Sequence, residues 1–238
     1  MSLLFEELDY RETPIGAVSL RRRRIIGLNQ ELYEIKLGEE YLMSSLFTES
    51  EIALGRLGIQ EHAGSDLQVV VGGLGLGYTA QAVLESDRVS SLLVVDALQA
   101  VIDWHTEGLL PLGAILTADS RCRFTLTDFF AAAASPDGFD PEQPQRRFDA
   151  VLVDIDHSPS QWLDSHNSSF YQPAGLSKLA RHLNPGGVFG LWSNEPPDEK
   201  FTRQLRSVFA TARAEAIVFH NPIQDREFTQ SVYLATID

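Results

Sequence analysis

Cysteine is almost missing from this 238-residue chain. With Cys122 alone, no intrachain disulfide can form and no cysteine-based zinc site can be built. Its strand-like neighbours predict a small buried hydrophobe rather than a reactive thiol. Positive charge is scarce too: 19 Lys and Arg face 33 Asp and Glu, a formal net charge of −14. That balance argues against nucleic acid or an anionic membrane as partner, since both need a basic face. The one basic run, Arg21 to Arg24, has no interleaved aromatics and reads as a solvated strand end or turn that offsets nearby Glu. No apolar stretch approaches the ~20 residues of a membrane helix. Met1 to Tyr10 is acidic and lacks the basic start and apolar core of a signal peptide, so a reducing cytoplasm is expected.

What is present is a core-forming chain, 44% hydrophobic, long enough for one α/β domain with a small appendage. Residues 1–62 read as a β-rich cap and lead-in helix. Short strands are expected at Glu12–Leu20 and Leu32–Leu37, with polar turns including Gly27 and Asn29. A helix is expected over Thr48–Leu57, with Thr48 as cap and Glu51 at the reciprocal capping place. From 63 to 238 strands and helices alternate. Strands are expected at 67–72, 91–96, 122–127, 148–154, 186–192, 214–220 and 229–236. Helices are expected at 77–86, 98–108, 128–134, 170–183 and 199–210, and 135–147 as a surface loop. Such alternation predicts a parallel sheet covered on both faces. The last two strands, joined only by a polar loop, should pair antiparallel.

The chemistry gathers at the strand ends, where open α/β sheets bind ligands. Val69-Val70-Val71 runs into Gly72, Gly73, Gly75 and Gly77, a turn that offers backbone to a nucleotide-like ligand. A dinucleotide fingerprint would place a third glycine at Tyr78, and no Lys or Arg follows before Arg88. Asp96 ends the next strand at the distance expected of a ribose-binding carboxylate. The site therefore reads as one for an adenosine ligand without phosphates, such as S-adenosylmethionine. Asp128 can accept from an adenine amino group while Phe129 packs on the ring, and it can equally cap the following helix. Asp154-Ile155-Asp156-His157 closes the fourth strand. Asp154 is placed to act as a general base, and Asp156 and His157 are further catalytic candidates. Aspartate and histidine together also raise a metal site, but no clear third ligand is supplied and no metal is expected.

The order Gly72-Gly73-Leu74-Gly75-Leu76-Gly77, Asp96, Asp128, Asp154 to Ser158, Phe170-Tyr171 and Leu183-Asn184-Pro185-Gly186-Gly187 resembles the spermidine synthase (polyamine aminopropyltransferase) family. That family belongs to the S-adenosylmethionine-dependent methyltransferase superfamily. The resemblance implies a Rossmann-like seven-strand sheet with helices on both faces behind a small cap. It implies S-adenosylmethionine or its decarboxylated form as cofactor, a small amine as substrate, Asp154 as general base, and a homodimer. Gly75 departs from the family's aspartate in the glycine turn. Ile155, Asp156 and His157 depart from its Ser-Ser-Asp, and of the family's Tyr-His-Glu segment only Glu51 is in register. Cofactor binding thus carries over better than diamine recognition. A methyltransferase on the same scaffold, favoured by Gly75, and a non-catalytic binding protein are the alternative expectations.

Overall fold

The computed structural model describes residues 4–26 and 30–238; the turn positions Gly27 and Asn29 lie outside them. Four strands open the chain: β1 (Phe5–Thr13), β2 (Gly16–Ile25), β3 (Gln30–Leu37) and β4 (Glu40–Ser44). They pair antiparallel in sequence order as a separate sheet. Glu12–Leu20 is therefore not one strand but the bend between two. Proline has no N–H to give to a ladder, so the chain reverses at Pro14-Ile15. Thr13 Oγ1 closes that turn by donating to the Gly16 carbonyl at 2.6 Å. Arg21 to Arg24 runs along β2 and not in a turn. Arg21, Arg22 and Arg23 pair with Glu7, Glu6 and Glu34.

Helix α1 (Glu49–Glu61) links the cap to the main sheet. The expected capping box does not form: Thr48 makes no side-chain cap bond, and Glu51 is buried instead of reaching back to the helix start. Gly55 explains how closely this helix sits. A Cβ there would lie 2.7 Å from Ala82 Cβ and 2.8 Å from the Thr79 carbonyl on the next helix.

The main sheet contains β5 (Leu67–Gly72), β6 (Val89–Asp96), β7 (Cys122–Leu126), β8 (Phe148–Val153), β9 (Leu183–Ser193), β10 (Thr211–Asn221) and β11 (Arg226–Thr236). Its strand order is β10-β11-β9-β8-β5-β6-β7. The five strands from β9 to β7 are parallel, and β11 runs antiparallel to both β9 and β10. The hairpin expected at the end of the chain is present. Two helices precede and follow β6: α2 (Tyr78–Leu84) and α3 (Gln99–Thr106), and α4 (Gly113–Ala118) lies beyond them. The remaining helices are α5 (Phe129–Ala134), α6 (Pro173–Ala180) and α7 (Glu199–Arg206), with a 3-10 turn at Ser165–Ser169.

Two apolar clusters cover the sheet, one on each face. Val69 and Val71 look into one, Val70 into the other, as alternation along a strand requires. Each such valine, fully buried, contributes about 1.5–3 kcal/mol. The 135–147 segment is not wholly superficial. Phe139 is buried and stacks on Phe129 at 4.9 Å, and the buried Asp140 pairs with Arg123 and Arg146. Because β5 lies between β6 and β8, the chain leaves it toward β7 and later returns on the other side. That reversal opens a crevice beyond the carboxyl ends of β5 and β8.

Candidate functional site

A cavity of about 370 Å³ occupies this crevice, walled by the sheet on one side and the cap on the other. Gly73 and Gly75 line it, whereas Gly72 and Gly77 shape the turn from behind. Gly73 has φ +92°, and a Cβ there would fall 2.0 Å from the Asp154 carbonyl, so only glycine lets the two strand ends approach. Gly75 has φ +46°, and its missing side chain is replaced in space by Met43 of β4, whose Sδ lies 2.4 Å from the ideal Cβ position. Met43 Sδ also accepts the Leu76 N–H at 2.9 Å. A cap residue thus completes the turn. Nothing local to Met43 announces this, because the contact joins segments 32 residues apart.

Asp96 is held through both oxygens: Oδ2 accepts from Leu74 N in the glycine turn at 2.9 Å and Oδ1 from Leu98 N at the start of α3 at 2.8 Å. Burial raises its pKa, against the lowering effect of these backbone donors. Asp128 caps α5 through Oδ1 alone, accepting from Phe130 N and Ala131 N. Its Oδ2 has no protein partner among the described residues, and Asp128 lines the cavity. Phe129 borders the cavity, but its ring is wedged beneath Gly72 and stacked on Phe139.

Asp154 is half-buried, with its open side toward the cavity. Its Oδ2 accepts from Thr79 Oγ1 at 2.7 Å. Burial pushes its pKa up to about 6, against the lowering effect of that hydrogen bond. Asp156 lies beyond the end of β8, where strand alternation no longer applies, and it is not part of the cavity wall. It is buried and accepts from Leu163 N (2.8 Å), Asn167 Nδ2 (3.0 Å) and Tyr171 OH (2.8 Å). Its acceptors are filled by these donors, and it has no place in the cavity wall. It pins the segment that follows β8. His157 does line the cavity, and its Nε2 lies 2.8 Å from Oε1 of Glu40 on the cap.

Sequence reasoning left Glu51 out of the site. The structure buries it in the cavity wall, where burial and the neighbouring Asp154 push its pKa up to about 8. Its register with the family's glutamate was the available signal, obscured by the capping-box pattern. Trp192, from the end of β9, lines the cavity and donates through Nε1 to Ser50 Oγ at 2.7 Å.

Five carboxyl groups line this cavity: Glu51, Asp96, Asp128, Asp154 and Asp164. Among the described residues, no Lys or Arg does. Such walls repel a diphosphate and suit a cationic nucleoside or an ammonium. No group of three or more His, Cys, Asp or Glu among the described residues is arranged to hold a metal ion. No helix among them is long and apolar enough to cross a membrane.

No protein-family model matches the chain. Solved structures do. A spermidine synthase crystallised with the transition-state analogue AdoDATO superposes with a TM-score of 0.74 at 15% identity, covering 98% of this chain and 74% of that one. The spermidine synthase of Thermotoga maritima gives 0.73 at 15% identity, covering 98% and 73%. The match includes the cap as well as the sheet. The fold of this chain is that of the spermidine synthases.

Proposed function

We propose that this chain is a transferase that moves a group, aminopropyl by its resemblance, from an S-adenosylmethionine-type donor to a small amine. The observation that carries the reading is Asp154. It is a carboxyl half-buried in the cavity wall, held by Thr79, with its pKa raised to about 6. Such a group is ionised at neutral pH yet basic enough to take a proton from an amine. The donor, when bound, supplies an electrophilic carbon on a sulfonium whose C–S bonding pair returns to sulfur. Asp96 is oriented by two backbone donors and keeps lone pairs for ribose hydroxyls. Asp128 Oδ2 is available to an adenine amino group. Asp154 receives the proton that leaves the amine nitrogen as nitrogen forms its new bond to carbon. The remaining carboxylates attract a cationic substrate into the cavity. The reading takes the protein to act in the cytoplasm and without metal, and as a homodimer, the last as the resemblance implies.

Met43 favours a second reading. It fills the space beside Gly75 with a thioether, so no carboxylate there meets an amine at the end of a donor arm. That wall suits methyl transfer from intact S-adenosylmethionine. Calorimetry with S-adenosylmethionine, its decarboxylated form and methylthioadenosine separates the two. Tighter binding of the decarboxylated form supports aminopropyl transfer, and preference for the intact form overturns it in favour of methyl transfer.

A further inference from the structure

Hydrogen-bond counting around Ser50 leads from the cavity wall to a second acid. Ser50 Oγ receives the Trp192 Nε1–H and has one proton to give. Two acceptors compete for it: Gln230 Oε1 at 2.5 Å and Glu51 Oε2 at 2.8 Å. The other end of the Gln230 amide meets Asn194, its Nε2 donating to Asn194 Oδ1 at 2.7 Å with Oε1 toward Ser50. One serine proton cannot serve both acceptors, and the Gln230 contact is the shorter. With that proton on Gln230, Glu51 Oε2 faces an oxygen with none to offer, and a proton on Glu51 satisfies the contact. Burial favours the protonated form most, and the surrounding charges add to it against the lowering effect of hydrogen bonds from Ser50 and the Glu51 backbone. Asp154 at the end of β8 repels an ionised Glu51, and Glu49 on its own helix adds to that. Tyr78 on α2 faces it as a neutral phenol. Strands β9 and β11 present the uncharged Trp192 and Gln230. Arg213 of β10 is spent on Glu61 at the far end of α1. His157, across the same cavity, is engaged with Glu40.

We infer that Glu51 is a second acid of the acceptor pocket, holding a proton while Asp154 is ionised, so that the Glu51–Asp154 pair shows a single negative charge to an incoming amine. Its ionisation would place a second charge beside Asp154. That charge holds the acceptor as ammonium and removes the free nitrogen lone pair. Glu51 is a positioning residue in this sense: it sets the protonation state in which the base and the amine meet. The kinetic consequence rests on the transferase reading; the proton on Glu51 does not.

Infrared difference spectroscopy of the ligand-free protein tests it. The carbonyl stretch of a protonated carboxyl at pH 7 should vanish as pH rises through about 8 and be missing from Glu51→Gln. A difference spectrum at pH 7 that shows a lost carboxylate instead overturns the proposal. If Glu51→Gln fails to fold, Asp154→Asn decides. Removing the neighbouring charge should move the loss of the band to lower pH, and an unmoved band refutes the coupling. In turnover, kcat/KM of the wild type should fall about tenfold per pH unit beyond the upper limb, and this limb should be lost in Glu51→Gln. An alkaline limb that survives unchanged in that variant contradicts the proposal. A wild type that turns over no amine sinks the transferase reading, while the infrared result alone still decides Glu51.

Discussion

Asp154 and Gly75 carry the account at the level of single residues. If Asp154 is the base, kcat/KM should rise with pH through an apparent pKa near 6, and Asp154→Asn should lose about 10²–10⁴-fold at pH 7.5. A pH–rate profile of both proteins checks this. At Gly75 the backbone has φ +46° and Met43 fills the side-chain space, so Gly75→Asp should destabilise by about 2 kcal/mol. The melting temperature would fall by about 4–8 °C. Adding Met43→Ala should recover part of that loss, and calorimetric scans of the single and double variants measure the coupling. The residues differ in how legible they were. Asp96, Asp128 and Asp154 follow strand runs and could be placed from the sequence by topology alone. Asp156 and His157 are adjacent, yet only His157 faces the cavity, and the sequence pattern does not distinguish them. Met43 carried no signal, because its partner is set by how the cap closes.

Among the elements, the parallel strands were readable because each is a short apolar run ending in Gly or Asp. The cap was harder. Its strands are half-exposed and charged, so Glu12–Leu20 merged two strands across the Pro14-Ile15 turn, and β4 went unseen. Helix α4, six residues long, was too short to show a period. Of the connecting segments, 158–170 has the most to lose from one change. Three donors converge on Asp156, and leaving them unpaired costs about 1–3 kcal/mol each at the buried positions. Asp156→Ala should therefore destabilise by about 3 kcal/mol and expose this segment first. Limited proteolysis should cut within 158–170 in the variant before the wild type; equal rates and sites would show that Asp156 does not pin it.

For the molecule as a whole, Glu51 and Asp154 make stability depend on pH in a direction opposite to that of an ordinary ion-paired carboxylate. Both pKa values are higher folded than unfolded, so the native state binds more protons between about 4.5 and 8 for Glu51 and about 3.8 and 6 for Asp154. Their stabilisation is present at low pH and lost as pH rises through those windows, at up to about 1.4 kcal/mol per pH unit for each group. Denaturant titrations at pH 6 and 8 should show a smaller decline in Glu51→Gln than in the wild type. A cavity lined by carboxylates should also discriminate by ligand charge. An S-adenosyl ligand at a hundred times its Kd should stabilise the protein by about 2.7 kcal/mol, whereas NAD or ATP should not. The central claim is group transfer with Asp154 as base. Its most direct test is a mass-spectrometric assay of the purified protein with S-adenosylmethionine or its decarboxylated form and a panel of small amines. The account predicts methylthioadenosine, or S-adenosylhomocysteine if methyl is moved, formed in step with an alkylated amine by the wild type and nearly abolished in Asp154→Asn. Formation of neither product, or equal formation by Asp154→Asn, would contradict it.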